Sequence, residues 1–233
     1  MDDEVRTLSR RERLRIQTLR EIEDASFAII DADGVHALSF AALARSMAMS
    51  APAVYRYFPS RDALLAHLVT LSYQHLATAM ADAVGGGRRE PRAKVRVLVA
   101  AYREWALRNR RRYAMLFAER TPGLPRDLDD NTALNQAMAL LVDLLAAVPG
   151  GAPAETTTGD RTLDRQLRVW AQAQERPETP PRAAAAAILI WTRVHGIVSL
   201  ELTGVIDGSA VETQRLIDLE INAALQSLDP VSR

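Results

Sequence analysis

The segment that decides the fold is residues 38–65, LSFAALARSMAMSAPAVYRYFPSRDALL. Ser39 can cap a short helix. The apolar residues of that helix recur with the period of one buried face: Phe40, Leu43, Ala44 and Met47. After a joint at residues 48–51, Pro52 can stand at a first helical position, where the missing N–H would be unpaired anyway. Two short amphipathic helices with such a joint are typical of a helix-turn-helix, whose second helix enters the DNA major groove.

The second short helix has outward side chains that folding does not require. Val54 and Phe58, four residues apart, are expected to point inward. The remaining positions are then free for a partner: Ala51, Ala53, Tyr55, Arg56 and Tyr57. Arg56 can offer a planar guanidinium to guanine O6 and N7, and tyrosine hydroxyls can reach phosphate oxygens. The residue types therefore fit a surface that reads DNA.

Positive charge is concentrated near this segment, although the chain as a whole is neutral. Lys+Arg 29 balances Asp+Glu 29, and residues 1–82 hold 9 Arg against 11 acids, a net of −2. Within that region, residues 6–20 contain six Arg and one Glu, a net of +5, and residues 40–61 contain three Arg and no acid. This placement fits phosphates beside the helix-turn-helix. An ordinary solvated helix face explains the arginine-rich run of residues 6–20 equally well.

Composition favours an all-α protein, since 39 Ala and 28 Arg stand against 11 Gly and 11 Pro. Cysteine is absent, which removes disulfide scaffolds, Cys-type zinc sites and thiol nucleophiles. The acidic start lacks the pattern of a secretory signal. The longest apolar run, residues 183–191, is far shorter than the ~20 residues that cross a bilayer. We therefore expect a soluble, cytoplasmic protein.

Helical periodicity continues along the chain. A long first helix is predicted over residues 10–32, with Gly34 as its C-cap residue, and a linking helix is predicted from Ser60 to the glycine run at 85–87. Further helices are predicted at the following ranges: 91–109, 110–119, 129–148, 163–174, 182–203 and 210–228. Residues 149–159 are rich in helix breakers and indicate a loop.

Residues 38–44 and 49–65 closely resemble the N-terminal domain of tetracycline-repressor-like (TetR family) regulators, and the match extends over roughly residues 11–76. The resemblance implies an all-α homodimer with a three-helix DNA-binding head, a linking helix and a larger C-terminal domain for ligand binding and dimerisation. We place the DNA-binding domain with its linking helix at 1–84 and the C-terminal domain at 85–233.

The resemblance also assigns DNA contacts position by position. Phosphate contacts are implied for Ser39, Tyr55 and Arg61, and base contacts for Ala51, Pro52, Ala53 and Arg56. Tyr57 would reach backbone or base, and Ser50 completes the predicted set. One departure is Ala48, which stands in the joint where the family often has glycine; a positive φ there would cost an alanine on the order of 1 kcal/mol.

Residues 191–202, WTRVHGIVSLEL, resemble the Trp-His-Gly signature of one TetR-family C-terminal class. That resemblance implies that the last two long helices pair with those of a second subunit as a four-helix bundle. The predicted interface residues are Val198, Leu202, Ile217, Ile221, Ala224 and Leu228. Periodicity alone allows equally that these stripes face their own subunit's core.

Large side chains of the second half could line an apolar ligand pocket: Tyr102, Trp105, Met115, Phe117, Trp170, Trp191 and His195. Core packing explains each of them as well, including a hydrogen-bonded His195. The other histidines lack the spacing of a metal site, so neither metal nor cofactor is expected. The acids at 127–130 fit the start of a helix, and the arginines at 108–112 fit a DNA flank, an acidic ligand, solvated surface or salt bridges between subunits.

These observations converge on a ligand-responsive, dimeric repressor that binds a palindromic operator and is released by a small molecule. A constitutive DNA-binding protein without a ligand is one alternative. An all-α enzyme is another, but the chain has no cysteine nucleophile, and Gly85 to Gly87 are followed by Arg-Arg-Glu rather than by the residues of a phosphate-binding loop.

Overall fold

A computed structural model describes residues 9–86, 89–118, 132–149, 157–206 and 210–229. All regular elements in these ranges are helical, which confirms the all-α prediction. The chain forms two compact units. The described residues of the first, here the N-terminal unit, fall within 1–72 and 109–126, and those of the second, the C-terminal unit, fall within 73–108 and 127–233.

The N-terminal unit contains the helix-turn-helix. Its helices are α1 (Arg10–Asp33), a 3-10 turn (Val35–Ala37), α2 (Phe40–Ser46), α3 (Ala51–Tyr55), the start of α4 (Arg61–Gly85), α6 (Arg110–Tyr113) and a π-helical turn (Ala114–Ala118). Helix α4 is continuous and belongs to both units, because the division falls after Ser72. By packing, therefore, the units divide inside the linking helix, and the domain boundary after residue 84 stays a prediction.

The C-terminal unit is built from longer helices. They are the remainder of α4, then α5 (Pro91–Arg108), α7 (Thr132–Ala146), α8 (Arg161–Ala173), α9 (Pro181–Leu202) and α10 (Thr213–Gln226). Helix α9 packs against α5, α7, α8 and α10 and is thus the centre of this unit. The predicted helix start at residue 129 lies outside the described residues.

Local sequence explains where the first helices begin and end. Ser9 and Glu12 form a reciprocal capping box at the start of α1, with the Glu12 amide donating to Ser9 Oγ at 3.2 Å and the Ser9 amide donating to Glu12 Oε2 at 2.8 Å. Gly34, at φ 87°, ends α1 as predicted, and its amide donates to the Ile30 carbonyl. Ser39 caps α2 by accepting a hydrogen bond from the Ala42 amide at 3.1 Å.

The joint between α2 and α3 keeps the left-handed backbone that glycine favours. Ala48 has φ 52°, and the amide of Met49 donates to the Ala44 carbonyl at 2.8 Å, which closes the end of α2. The alanine has therefore taken the conformation instead of rearranging the turn, and the helix-turn-helix stores the small strain of a β-carbon at positive φ.

The core of the N-terminal unit supports α3 from behind. Ile22 and Ile30 of α1, Leu43 of α2 and Leu64 of α4 are fully buried in one cluster with Val54 of α3. Because α3 has only five residues, too few for independent stability, this packing and not helix propensity holds it in place.

Helix α9 is long and apolar enough to cross a membrane by length and composition alone, a test that core helices of water-soluble proteins also pass. Eight of its residues, including Ala184, Ile190 and Val198, are buried in the C-terminal unit. The packing of α9 into this core accounts for its apolar sequence.

Candidate nucleic-acid interface

Helix α3 presents one face to the core and another to solvent. Val54 is 0% exposed and Phe58, in the turn after the helix, is 7% exposed, which confirms their predicted inward orientation. On the outer side, Tyr55 is 57% exposed and Arg56 is exposed. The Tyr55 and Phe40 rings pack in a T-shaped arrangement with centroids 4.7 Å apart, so the phenol is oriented although the residue is largely exposed.

The smaller residues of the predicted interface surround this helix start. Ser50 and Pro52 are exposed, and Ala51 and Ala53 are half-buried. Helix α3 begins at Ala51, so Pro52 stands at its second position, one residue later than predicted, where its missing N–H still leaves no helical bond unmade. These small side chains let the backbone approach a flat polar surface such as a groove floor.

Ser39 combines a structural role with an available donor. Its Oγ accepts the hydrogen bond that caps α2, and the side chain is exposed. A hydroxyl that accepts through one lone pair keeps its own O–H for donation. Ser39 can therefore cap the helix and donate to a phosphate oxygen at the same time.

Arg61 has a structural role in addition to the phosphate contact, which stays a prediction. Its Nε donates to the Leu38 carbonyl at 2.7 Å and its Nη2 donates to the Val35 carbonyl at 2.9 Å. The side chain connects the start of α4 to the turn before α2, because it donates to the Leu38 carbonyl and adds a second donor to the Val35 carbonyl, which also accepts the Leu38 amide. Arg61 is thus a structural residue of the helix-turn-helix, and the remaining N–H donors of its guanidinium can still contact a phosphate.

The N-terminal end of α1 adds cations that the predicted residue set omits. Arg10, Arg11, Arg13 and Arg15 are exposed, and the Arg15 guanidinium lies 5.9 Å from the centroid of the Tyr57 ring. The part of this run from Arg10 onwards is therefore helical, and Arg15 contacts Tyr57 in the turn after α3. The capping-box pattern Ser9-Arg-Arg-Glu12 is the sequence signal that marks this helix start.

Two residues of the predicted ligand set belong to the N-terminal unit. Met115 is buried in the core cluster of that unit with Ile22 and Phe58, and Phe117 lies against Tyr113 with ring centroids 4.9 Å apart. Whereas the other ligand candidates belong to the C-terminal unit, these two lie in the segment after α5 that the chain contributes to the N-terminal unit. Their large side chains serve packing there.

Arg112 also has its partners within the N-terminal unit. It forms a bidentate pair with Asp31, with Nη2 2.6 Å from Oδ2, and its guanidinium lies 4.0 Å from the centroid of the Phe27 ring. Arg108 pairs with Glu104 of its own helix. Arg112 therefore forms a salt bridge within the subunit, a role that the alternatives predicted for this arginine run did not include.

Three of the remaining ligand candidates form a cluster in the C-terminal unit. Tyr102 Oη and His195 Nδ1 are 2.9 Å apart. The Trp191 ring packs against Tyr102 in a T-shaped arrangement, with ring centroids 5.3 Å apart, and stacks on His195, with ring centroids 5.8 Å apart. Burial lowers the pKa of His195, so its imidazole stays neutral at pH 7. Tyr102 and Trp191 also line a small apolar cavity of about 20 Å³. Trp105 is buried elsewhere on α5, and Trp170 is half-buried on α8.

The predicted dimer-interface set needs correction. Val198, Ile217, Ile221, Ala224 and Leu228 are 0%, 1%, 1%, 8% and 7% exposed in the single subunit, and only Leu202 is partly accessible. Five of the six side chains therefore face their own core, which is the alternative that periodicity left open, because α9 and α10 pack on each other along these stripes.

Known proteins resemble this chain in both halves. Residues 22–68 match the family described as bacterial regulatory proteins, tetR family, and residues 95–224 match the tetracyclin repressor-like C-terminal domain. The HTH-type transcriptional regulator Rv1816 of Mycobacterium tuberculosis is 30% identical over 185 residues, covering 73% of this chain and 74% of the relative.

Solved structures agree with this assignment. The putative regulatory protein SCO4313 has 33% identity and a TM-score of 0.76, covering 94% of this chain and all of that one. A Rhodococcus sp. RHA1 protein of unknown function, at 24% identity and a TM-score of 0.64 over 90% of this chain and 94% of that one, shares the fold. Together with the exposed recognition helix, these matches show that the chain belongs to the TetR family and is a DNA-binding transcriptional regulator.

Proposed function

We propose that the protein is a cytoplasmic, homodimeric repressor that binds a palindromic operator and is released from it by a small molecule bound in the C-terminal unit. The observation that carries the DNA-binding part is the two-faced helix α3, with Val54 fully buried and Tyr55 and Arg56 exposed. Val54 in the core and the contact of Tyr55 with Phe40 hold the helix in place before DNA arrives, which lowers the entropic cost of binding.

The proposed contacts divide into two classes. Arg56 reads a base through its planar guanidinium, and Ala51, Pro52 and Ala53 let the backbone approach the groove floor. Ser39, Tyr55 and Arg61 hold phosphates and so set the register of the helix on the duplex, Tyr57 reaches backbone or base, and Ser50 completes the set. The exposed arginines at the start of α1 add phosphate contacts that carry no sequence information.

The experiment that tests the DNA-binding part is selection and sequencing of duplexes bound by the purified protein, followed by competition against random DNA. We expect a palindrome, and Arg56→Ala should cost about 1 to 3 kcal/mol in operator binding and relax the preference at one base position. Arg13→Ala, in the exposed run of α1, is the matched control, since it should weaken specific and random duplexes alike. If Arg56→Ala kept the parent's ratio of specific to random binding, the base-reading assignment would be wrong.

The dimer is proposed to form through the outer faces of α9 and α10. Leu189 and Leu200 of α9 are 45% and 46% exposed, and Leu219 of α10 is 63% exposed. Between the two leucines of α9 lies Gly196, where an added Cβ would meet nothing within 4 Å. Glycine within a helix costs about 1 kcal/mol relative to alanine, and since the subunit's own packing does not require it, close approach of a partner helix supplies a reason.

A dimer is needed for operator binding because one five-residue recognition helix makes few contacts. Two such helices must enter successive major grooves about 34 to 36 Å apart. A ligand that binds one arrangement of the heads better than another shifts the population towards it by its difference in affinity. Release from DNA follows when the favoured arrangement has the wrong spacing.

The effector is proposed to bind beside Tyr102, Trp191 and His195. The Tyr102–His195 pair offers one hydrogen-bonding position at the edge of an otherwise apolar wall, and Met80 and Met138 in that wall can change rotamer to enlarge the cavity. Trp191→Ala should therefore abolish ligand-induced release while leaving operator affinity in the absence of ligand unchanged.

The alternative without an effector also has an observation in its favour. The cavity at Trp191 has a volume of about 20 Å³, room for roughly one water molecule. Adding extract of the producing cell to the protein–operator complex separates the two proposals. Loss of the complex supports release by an effector, and a complex that survives extracts from all growth conditions supports constitutive binding.

A further inference from the structure

A second and much larger cavity lies in the C-terminal unit, away from the Trp191 cluster. Its volume is about 750 Å³, and it is bounded by α4, α7 and the segment that follows α8. Gln136 and Ala139 of α7 line it, whereas Ala137 and Met138 line the small apolar cavity. Different faces of one helix thus form the two cavities, which are separate sites.

The wall of the large cavity is rich in hydrogen-bonding side chains. Helix α4 contributes Gln74 and Thr78, helix α7 contributes Asn135 and Gln136, and the end of α8 contributes Gln174. Amides and hydroxyls of this kind orient polar ligands, while the wall around Trp191 has only one polar position. The large cavity therefore selects a different chemistry from the small one.

Gln174 is the polar group with unmet bonding capacity. Its Oε1 is buried and has no hydrogen-bond partner in the described part of the chain. Leaving a buried acceptor unpaired costs free energy. The terminal torsion of a glutamine side chain is broad, so the amide can turn to meet a donor in the cavity.

The backbone around Gln174 is held firmly. Helix α8 ends at Ala173, Glu175 has φ 57°, and the Arg176 amide donates to the Ala171 carbonyl at 2.9 Å. The Arg176 guanidinium then forms a bidentate pair with Asp143 of α7, with Nε–Oδ1 at 2.7 Å and Nη2–Oδ2 at 3.1 Å. The cavity wall is therefore prearranged by an ion pair between its two sides.

The charges of the wall favour a donor-rich cation. Asp143 and Glu175 are negative, and the one positive charge among the lining residues, Arg176, is already paired with Asp143. The carbonyl end of α8 also lies at this wall, and the C-terminal end of a helix favours positive charge. A carboxylate ligand would add a third negative charge beside Asp143 and Glu175, and Arg176 is the one cation among the lining residues to balance them.

We propose that this cavity is a second ligand site, which binds a small polar molecule with N–H or O–H donors and a single positive charge. Gln174 accepts a hydrogen bond from the ligand, and Glu175 balances its charge. The ligand contacts α4 between Gln74 and Ala81, on the helix that begins at Arg61 beside the helix-turn-helix. The site is independent of the Trp191 cluster and of operator binding.

The test uses the full-length protein with 13C-labelled alanine methyl groups, because Ala77, Ala81, Ala139 and Ala173 line the cavity. Glucosamine, glucose and glucuronate serve as probes, since they share one ring shape and carry a positive, zero and negative charge. A fitting probe of about 12 non-hydrogen atoms binds with a Kd on the order of 1 mM. We expect saturable shifts of these four methyl signals, tightest for glucosamine and about five-fold or more weaker for glucuronate.

Three variants locate the binding. Gln174→Leu should weaken glucosamine binding about five-fold without lowering Tm, because it removes a buried unpaired oxygen. Gln172→Leu, at an exposed position in the last turn of α8, is the matched control and should bind like the parent. Glu175→Gln should weaken glucosamine binding and leave glucose binding unchanged.

The proposal is overturned if glucosamine causes no saturable shift at these methyls, if glucuronate binds as tightly, or if Gln172→Leu loses as much affinity as Gln174→Leu. The readout involves no DNA. Operator selection therefore tests the repressor proposal separately, and either proposal can fail alone.

Discussion

Two arginines five positions apart show how position decides the role of a residue. Arg56 follows α3 and is exposed, so its guanidinium is available to a base edge. Arg61 is the first residue of α4, and its Nε and Nη2 donate to the carbonyls of Leu38 and Val35. Both are arginines in the same acid-free segment, and sequence alone does not distinguish an arginine that contacts a base from one that donates to the protein's own backbone.

The two backbone hydrogen bonds of Arg61 predict an effect on stability. Arg61→Ala removes the donor to the Leu38 carbonyl and leaves the Val35 carbonyl with the Leu38 amide alone, so the free energy of unfolding should fall by about 1 to 3 kcal/mol. Arg45→Ala, at an exposed position of α2, is the control and should change it by less than about 0.5 kcal/mol. Urea denaturation of both variants measures the difference. Equal stability of the two variants would show that the Arg61 bonds contribute nothing.

The strained alanine in the joint predicts a substitution that raises the free energy of unfolding. Ala48 has φ 52°, a conformation that glycine adopts without steric cost. Ala48→Gly should therefore raise the free energy of unfolding by about 0.5 to 1 kcal/mol. Ala42→Gly, inside α2, should lower it by a similar amount. Thermal unfolding of the pair checks both signs, and a less stable Ala48→Gly would mean that the turn carries no strain.

At the scale of elements, helices differ in how much of their surface the subunit uses. Helix α3 depends on Val54 and Phe58 behind it, since five residues cannot form a stable helix alone. Helices α9 and α10 bury one stripe each, and their outer faces still carry Leu189, Leu200 and Leu219. An apolar outer face on two adjacent helices is the surface that a second subunit would cover.

The outer face predicts a loss of dimerisation on adding charge. Leu219→Glu should convert the proposed dimer to a monomer, because it places carboxylates in the proposed apolar interface. Val169→Glu on α8 is a matched control, as Val169 is 64% exposed and Leu219 is 63% exposed. Sedimentation velocity reports the oligomeric state, and circular dichroism checks that the helices remain. A dimer that tolerates Leu219→Glu would place the interface elsewhere.

At the scale of the whole molecule, burial of one titratable group links stability to pH. Burial lowers the pKa of His195 below its ordinary value of 6.5, so the unfolded chain takes up this proton more readily than the folded chain. The contribution of the buried, neutral His195 to stability is therefore fully present above pH 6.5 and is lost as the pH falls towards the folded-state pKa. Tyr102 of α5 faces the His195 imidazole, with its hydroxyl 2.9 Å from His195 Nδ1.

We expect the free energy of unfolding of the parent to fall more steeply between about pH 7 and pH 5 than that of His195→Asn. His36→Asn serves as the control, since His36 is exposed and its removal should leave the slope as in the parent. Urea titrations at several pH values give the slopes. Identical slopes for the parent and His195→Asn would contradict the assignment.

The amino-acid sequence by itself determined the helix-turn-helix and the family, because caps, breakers and the 3.6-residue period are local: Ser39, Gly34 and the spacing of Val54 and Phe58 act over a few residues. Tertiary structure alone decided which face of each apolar helix the subunit uses, where Met115 and Phe117 pack, and what Arg61 binds. Those outcomes depend on residues far apart in the chain, such as Arg112 with Asp31. A stripe of apolar side chains is stabilised by burial against any surface, since the hydrophobic effect has no direction, and only the folded packing selects the partner.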